Sequence, residues 1–261
     1  MINKRIIPVV ILKNELVVQS YNFNHYLPIG KPEFIVEYLS SWDSDEIVIL
    51  DIDATKESRH INVGLISRLS KNVSVPLTVG GGITGLDIAE LYFKNGADKV
   101  AINSLFHDRK YDEINAISME YGSQSVILSL DFIENADSDY SLFDYRKGNS
   151  SKRSLESVLN DIRDKVEVGE ILVNSVNRDG SKRGYDIILF TKITELISKP
   201  VLAIGGADNL DHFIEIIGLN NVTGLCASNV FLHFEHSVEY FRSKINSKNE
   251  ILRANNYFLY E

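Results

Sequence analysis

The feature that most constrains the fold of this chain is a repeat that relates its two halves. Three short motifs of the first half return in the second half, in the same order. The matched pairs are Asp51-Ile-Asp53 with Ser175-Val-Asn177, Pro76-Leu-Thr-Val-Gly-Gly-Gly82 with Pro200-Val-Leu-Ala-Ile-Gly-Gly206, and Asn103-Ser104 with Ser228-Asn229. The interval is 124 positions for the first two pairs and 125 for the third. An ordered set of this kind predicts two related half-structures of four strands each.

Short apolar runs rich in β-branched residues recur along the chain, with amphipathic segments between them. The predicted strands cover residues 5–12, 46–52, 77–80, 99–103, 125–131, 170–176, 200–205 and 224–228. Helical patterns follow several of them, at 86–95, 154–168 and 210–217. Eight strands with helical crossovers predict an α/β fold, a (β/α)8 TIM barrel of two half-barrel repeats, with residues 1–261 as a single domain. A doubly wound open sheet is the alternative.

Two segments do not follow this alternation. The polar stretch 135–153 is predicted to be a long loop after the fifth strand, and loops of this length are often functional or mobile. The ending, 251–261, is too short for a domain, so we expect it to pack on the outside of the barrel.

The net charge of −9 argues against a nucleic-acid partner, because a phosphate backbone requires a basic face. No uninterrupted apolar run approaches the roughly 20 residues that span a bilayer, so no membrane partner is expected either. The single cysteine, Cys226, cannot form an internal disulfide, which suits a reducing compartment. We therefore expect a cytoplasmic protein, and no motif calls for a cofactor or a metal.

Two glycine motifs end predicted strands that the repeat relates to each other. Glycine lets a backbone approach an anion closely, and successive backbone N–H groups can hold phosphate oxygens. Each motif is followed one strand later by small polar residues, which favours phosphate binding over a tight turn alone. The residues predicted for the two sites are Gly81, Gly82, Asn103 and Ser104 for the first, and Gly205, Gly206, Ser228 and Asn229 for the second. Two such sites at one barrel mouth predict a ligand with phosphate at both ends.

Carboxylates also stand at predicted strand ends. Asp131 closes the fifth strand, so its side chain is expected to reach the barrel mouth and act as a general acid or base. Asp51 and Asp53 close the second strand in the same way. Asp179 and Gly180 lie in Asn177-Arg-Asp-Gly-Ser-Lys-Arg-Gly184, where an Asp-Gly turn is the simpler explanation of the motif.

These motifs resemble the cyclase subunit (HisF) of imidazole glycerol phosphate synthase over the whole chain. The resembling stretches are Lys4-Arg-Ile-Ile-Pro8, Leu50-Asp-Ile-Asp-Ala54, Pro76-Leu-Thr-Val-Gly-Gly-Gly-Ile83, Gly96-Ala-Asp-Lys-Val-Ala-Ile-Asn-Ser104, Tyr121-Gly-Ser-Gln-Ser125, Gly169-Glu-Ile-Leu172, Arg178-Asp-Gly-Ser-Lys182, Gly184-Tyr-Asp186 and Gly205-Gly-Ala207. The resemblance implies a lyase of histidine biosynthesis that takes ammonia from a partner glutaminase (HisH-like) subunit. Enzymes of that family use the ammonia to split and cyclise a bis-phosphorylated ribulosyl aminoimidazole carboxamide. It also implies phosphate or substrate binding by Asp179 and Gly180.

The catalytic residues of the resembling family are only half present. That family has aspartates at the ends of strands one and five, and Asp131 matches the second. The first falls at Ile11, which can neither accept nor donate a proton. A family lysine falls at Gln19, and Asp208 replaces a glycine beside the second phosphate site, where a carboxylate would repel phosphate. The eighth strand, Ala227-Ser-Asn-Val-Phe-Leu-His233, is one residue longer than the family's run.

At the opposite end of the barrel the resemblance is complete. The family carries four charged residues around the passage on the face that docks the glutaminase. The matching residues are Arg5, Glu46, Lys99 and Glu170, each near the start of its strand. Alternating signs would neutralise one another and could form a polar gate for ammonia, although charges at this end of a barrel also simply stabilise it.

Three functions are compatible with these residues. One is a paralogue that forms a heterodimer with a glutaminase and uses or conducts its ammonia for amidation of a surface-polysaccharide sugar. Proteins similar to this one, with an aliphatic residue at the strand-one position, are associated with that amidation. Another is the cyclase subunit itself. The third is a non-catalytic barrel that binds a phosphorylated metabolite. Loss of the carboxylate at Ile11 favours the first function over the second, and the complete set of four charges disfavours the third.

Overall fold

The computed structural model describes residues 3–137, 139–249 and 252; apart from Leu252, the predicted packing of the ending, 251–261, lies outside the described residues. The strands are β1 (Arg5–Lys13), β2 (Leu16–Tyr21), β3 (His25–Gly30), β4 (Ile47–Asp51), β5 (Leu77–Gly80), β6 (Lys99–Ile102), β7 (Val126–Glu134), β8 (Tyr140–Asp144), β9 (Asn149–Ser154), β10 (Glu170–Ser175), β11 (Val201–Ile204) and β12 (Val222–Ala227). The helices are α1 (Pro32–Ser41), α2 (Val63–Lys71), α3 (Leu86–Lys94), α4 (Ser104–His107), α5 (Tyr111–Tyr121), α6 (Leu155–Lys165), α7 (Ile187–Leu196), α8 (Leu210–Ile217) and α9 (Ser237–Asn249).

Eight of these strands close into a parallel barrel in the order β1, β4, β5, β6, β7, β10, β11 and β12, and β12 returns to β1. The closure confirms the (β/α)8 barrel and excludes the open sheet. The eight predicted strands coincide with these eight within a few residues at each end. Periodicity located them well because each is a short apolar run bounded by polar or glycine residues.

The loop predicted at 135–153 is corrected by the structure. The segment does follow the fifth barrel strand, but β7 continues to Glu134 and pairs antiparallel with β8, which pairs with β9. Tyr140 and Leu142 on β8 are buried in the core. Their burial anchors the segment as a regular hairpin, which its mostly polar composition did not predict. A second hairpin, β2–β3, follows β1 and was absent from the prediction. We call β2–β3 and β8–β9 the mouth hairpins.

Two apolar layers stabilise the barrel, because successive residues of a strand face opposite sides of the sheet. On β1, Ile6 and Val10 face the surrounding helices, whereas Ile7 and Val9 face the barrel interior. The interior layer also contains Val48, Ala101, Ile127, Leu172, Leu202, Ile204 and Cys226. Full burial of an aliphatic side chain contributes roughly 1.5–3 kcal/mol, so both layers hold the strand ends in place.

Among the described residues, no helix combines the length and the apolar character needed to cross a membrane.

Candidate functional site

A cavity of about 420 Å³ opens at the C-terminal ends of the barrel strands, and we call it the mouth cavity. Ligands of parallel barrels bind at this end. The structure brings together here nearly all residues that the sequence singled out. Those lining the cavity are Ile11, Asp51, Gly81, Gly82, Asn103, Ser104, Asp131, Asp179, Gly180, Gly205, Gly206, Asp208, Ser228 and Asn229. Asp53 and Gln19 do not line it, and the Asp53 carboxylate turns away to Lys13.

Asp131 lies on β7 at the floor of the mouth cavity and is buried. Its two oxygens each accept a hydrogen bond from an asparagine amide, Oδ2 from Asn103 and Oδ1 from Asn174, both at 3.3 Å. Burial raises the pKa of Asp131 to about 7, the carboxylate of Asp179 acts in the same direction, and the two amides offset the shift only in part. A carboxyl group with this pKa can both give and take a proton near neutral pH.

Ile11 places a hydrocarbon side chain in the same cavity, on β1. Lys13, the nearest ionisable residue on that strand, does not replace the missing carboxylate. Its Nζ lies 2.8 Å from Asp53 Oδ1 and 5.2 Å from the centre of the Tyr26 ring. Gln19, at the family's lysine position, is buried and donates to the Asn229 carbonyl at 3.5 Å. Asp131 therefore remains the predicted general acid or base of the cavity.

The first predicted phosphate site, which we call the first phosphate site, comprises Gly81, Gly82, Asn103 and Ser104. Gly82 has φ of +67°, and a Cβ there would lie 2.1 Å from the Arg59 carbonyl, so only glycine fits. The Gly82 N–H donates to Thr55 Oγ1 at 3.2 Å. The Asn103 side-chain amide donates to the Ser129 carbonyl and to the Asp131 carboxylate, so it is directed at protein acceptors instead of an anion.

The second predicted phosphate site, which we call the second phosphate site, comprises Gly205, Gly206, Ser228 and Asn229, and the structure changes its expected character. Asp208 pairs with Lys182 at 3.1 Å, so the carboxylate suspected of repelling phosphate is neutralised by a lysine. The Asn229 side chain is held by the backbone of Ser20, donating at 2.9 Å and accepting at 3.3 Å. The Ser228 hydroxyl is buried without a protein partner among the described residues.

Asp179 and Gly180 hold a mouth hairpin against the loop after β10. Asp179 Oδ2 accepts hydrogen bonds from Ser20 Oγ at 2.7 Å and from the Phe23 amide at 3.0 Å. Gly180 has φ of +63°, and a Cβ there would lie 2.6 Å from the Ser20 carbonyl. In the structure these two residues position β2–β3, and their predicted contact with a ligand stays a prediction.

Sequence reasoning missed the residues that the mouth hairpins and loops add to the cavity. They are Phe23, Tyr26, Lys56, Phe143, Tyr145, Arg146 and Lys147. Phe23 and Phe143, from different hairpins, make an edge-to-face contact with ring centres 5.8 Å apart. The length of the polar stretch 135–153 was the available signal, but it did not identify which side chains turn inward.

The four charges at the opposite end form a closed ring, which we call the charge ring. Arg5 pairs with Glu46 at 2.9 Å and with Glu170, while Lys99 pairs with Glu46 at 2.9 Å and Glu170 at 2.8 Å. Each charge thus contacts two charges of opposite sign, and Glu46 also accepts from Thr78 Oγ1 at 2.7 Å. The interior apolar layer lies between the charge ring and the mouth cavity.

Comparisons with known proteins agree with this architecture. The profile of the family described as "Histidine biosynthesis protein" matches residues 5–237. A Vibrio vulnificus protein named "Putative imidazole glycerol phosphate synthase subunit hisF2" is 41% identical over 100% of this chain and 95% of its own length. Proteins named imidazole glycerol phosphate synthase subunit HisF are 33% identical in Alkaliphilus metalliredigens, over 97% of this chain and 100% of the relative, and 38% identical in Sulfolobus acidocaldarius, over 83% and 86%.

Proposed function

The chain belongs to the histidine biosynthesis protein family, among the relatives of the HisF subunit of imidazole glycerol phosphate synthase, and from that premise we propose that it is an ammonia-conducting partner of a glutaminase. In this proposal a glutaminase subunit docks on the charge-ring face. Ammonia passes along the barrel axis to the mouth cavity, where a phosphorylated ligand binds. The acceptor of the ammonia is a surface-polysaccharide sugar instead of the histidine intermediate.

The observation that carries the proposal is the contrast between the two ends of the barrel. The charge ring is complete and internally paired, whereas the mouth lacks the strand-one carboxylate because Ile11 occupies its position. A chain that served only cyclisation would need the missing group, while a chain that conducts ammonia would need the ring.

The charge ring suits a neutral cargo. Arg5 and Lys99 are each bridged by Glu46 and Glu170, so the net charge of the ring is zero. An ammonium ion entering the apolar interior beyond it would lose its hydration without a fixed counter-charge, which is costly. Neutral ammonia loses far less hydration free energy on entering the same interior, so the interior layer would favour ammonia over ammonium.

A second candidate, the cyclase subunit of histidine biosynthesis, is favoured by Asp131. This carboxyl group is retained at the mouth, in the cavity that both glycine motifs also line, and has a pKa of about 7 that suits proton transfer. The names of the relatives are also those of a synthase subunit. The distinction between the candidates rests on whether one carboxyl group suffices for cyclisation.

Complex formation with the glutaminase encoded nearest this gene tests the proposal. We expect a stable one-to-one complex at micromolar concentration in size-exclusion chromatography, with a buried interface on the order of 1,200–2,000 Å². Hydrogen exchange should slow at residues around the charge ring when the glutaminase binds. Lys147→Ala, at the opposite end of the barrel, serves as the control and should not change the elution profile. The docking proposal fails if no complex forms.

A further inference from the structure

We propose that the mouth cavity selects a singly phosphorylated ligand, with its phosphate at the first phosphate site and an uncharged end at the second phosphate site. The inference rests on the proposed function in one respect only, that a phosphorylated ligand occupies this cavity. The sequence repeat makes the two sites alike in backbone, so the preference arises from the side chains around them.

Two lysines give the first phosphate site an excess of positive charge. Lys56 directly follows Thr55, whose hydroxyl accepts the Gly82 N–H. Its Nζ stands 5.5 Å from the centre of the Tyr145 ring, and among the described residues it has no carboxylate partner. An ammonium group on an aromatic face keeps its charge available to an anion.

Lys147 approaches the same site from the β8–β9 hairpin. Its Nζ is 3.8 Å from Asp144 Oδ2, but both oxygens of Asp144 already accept hydrogen bonds from Arg146 at 2.9 Å. Arg146 also binds both oxygens of Asp108, which ends the short helix that begins at Ser104. The hairpin is therefore fixed above the first phosphate site, and Lys147 is only weakly neutralised there.

The second phosphate site has no comparable excess. Lys182 is the lysine nearest to it, and Asp208 neutralises that lysine at 3.1 Å. His233 lies 3.8 Å from Asp208, and burial lowers the pKa of its ring, which favours the uncharged imidazole. A phosphate dianion here would meet the Asp208 carboxylate, while Arg178, which packs against Gly206, directs its guanidinium at the Arg183 carbonyl at 3.1 Å.

The polar groups of the second site suit a hydroxyl better than a phosphate. The Ser228 hydroxyl is buried without a protein partner, so it can both donate to and accept from a ligand hydroxyl. The Asn229 side chain is already satisfied by the Ser20 backbone and does not reach a ligand without breaking that contact. The ligand class is a small polyol monophosphate that enters the cavity in one orientation.

Calorimetric titration of the isolated full chain at fixed ionic strength tests the inference with three probes: inorganic phosphate, ribulose 5-phosphate and ribulose 1,5-bisphosphate. We expect ribulose 5-phosphate to bind at least as tightly as the bisphosphate. The double variant Lys56→Ala/Lys147→Ala should weaken binding of all three probes about tenfold, since each exposed ion pair contributes up to about fivefold. Lys71→Ala/Lys94→Ala removes two exposed lysines on the outer helices α2 and α3 and should leave affinity unchanged.

A second substitution examines the other end of the cavity. Asp208→Asn should raise affinity for the bisphosphate about fivefold, because Lys182 is then free, and should leave ribulose 5-phosphate within about twofold. The inference is overturned if the wild-type chain binds the bisphosphate tenfold more tightly than the monophosphate. Equal effects of the two double variants, or no binding of any probe at millimolar concentration, would also overturn it. Because no glutaminase is present, a failure of docking leaves this result unaffected.

Discussion

At the scale of single residues, the mouth cavity retains one of the two carboxylates that the resemblance predicts and lacks the other. Asp131 keeps its place on β7 between Asn103 and Asn174, whereas Ile11 occupies the facing position on β1 without any proton-transfer group. The structure also rules out compensation by Lys13, which is committed to Asp53. Two residue-scale predictions follow from this arrangement.

The wild-type chain should cyclise the histidine intermediate slowly or not at all, even with saturating ammonium at alkaline pH. A positioned general acid or base contributes about 10²–10⁴-fold in rate, and Ile11→Asp should recover part of that factor. Steady-state turnover is the measurement, with the Alkaliphilus metalliredigens relative as the reference enzyme. Ile11→Asn, which is polar but cannot transfer a proton, is the matched control. Wild-type turnover equal to that of the reference would mean that Asp131 alone is sufficient.

Asp131 should make the folded state less stable as the pH rises. Burial raises its folded pKa to about 7 from the ordinary 3.8, so between these values the unfolded chain releases a proton that the folded chain retains. Wild-type stability should fall from pH 4 to pH 7 at this group and then level off. Asp131→Asn should gain roughly 2–3 kcal/mol relative to wild type between pH 5 and pH 8.

Urea unfolding at pH 5, 6, 7 and 8 measures this difference. Asp53→Asn is a control for which the change of stability with pH is expected to have the opposite sign. Burial acts to raise the pKa of Asp53, but hydrogen bonds from Lys13 and the Asn14 amide outweigh it and lower the pKa. The contribution of Asp53 is thus present at neutral pH and is lost on acidification. A pH-independent gap between Asp131→Asn and wild type would contradict the raised pKa.

At the scale of secondary-structure elements, the mouth hairpins convert a bare barrel end into an enclosed cavity. Asp179 holds β2–β3 through Ser20 and Phe23, and Arg146 holds β8–β9 through Asp144 and Asp108. The hairpins meet at the contact between Phe23 and Phe143. Each is therefore fixed by a few charged hydrogen bonds to a loop that is distant in sequence.

Arg146→Ala should loosen the β8–β9 hairpin while the barrel stays intact. The substitution leaves the buried Asp144 carboxylate without its two strongest donors, and we expect a loss of roughly 1–3 kcal/mol in local stability. Amide hydrogen exchange should accelerate in β8 and β9 and stay unchanged in β1, β4 and β5. Arg163→Ala removes an exposed arginine paired with Asp164 and is the control. Equal exchange in the two variants would show that Arg146 does not anchor the hairpin.

At the scale of the whole molecule, the barrel axis is organised in three successive zones. The charge ring closes one end, the apolar interior layer fills the middle, and the mouth cavity opens at the other end. Cys226 belongs to the middle zone and is fully buried, and burial raises the pKa of its thiol well above the ordinary range. Its reactivity therefore reports on opening of the entire barrel.

Cys226 should resist a thiol reagent in native buffer, because a buried thiol with a raised pKa supplies little thiolate. Labelling should accelerate in urea in parallel with the loss of the circular dichroism signal. A Met119→Cys variant introduces a second thiol at a position that is 89% exposed and should react at once in native buffer. Stoichiometric labelling of the native wild type within minutes would instead indicate access to the interior through one of the two ends.

The sequence by itself determined the barrel, its eight strands and the glycine motifs at the strand ends, and the resemblance to the HisF family pointed to the four charges of the ring. The barrel, strands and glycine motifs are encoded locally, by periodicity along a strand or by a residue type at a strand end. The tertiary structure alone decided the mouth hairpins, the pairing of Asp208 with Lys182 and the raised pKa of Asp131. These depend on contacts between loops far apart in the chain and on exclusion of water from the cavity floor, and neither leaves a pattern in a single sequence.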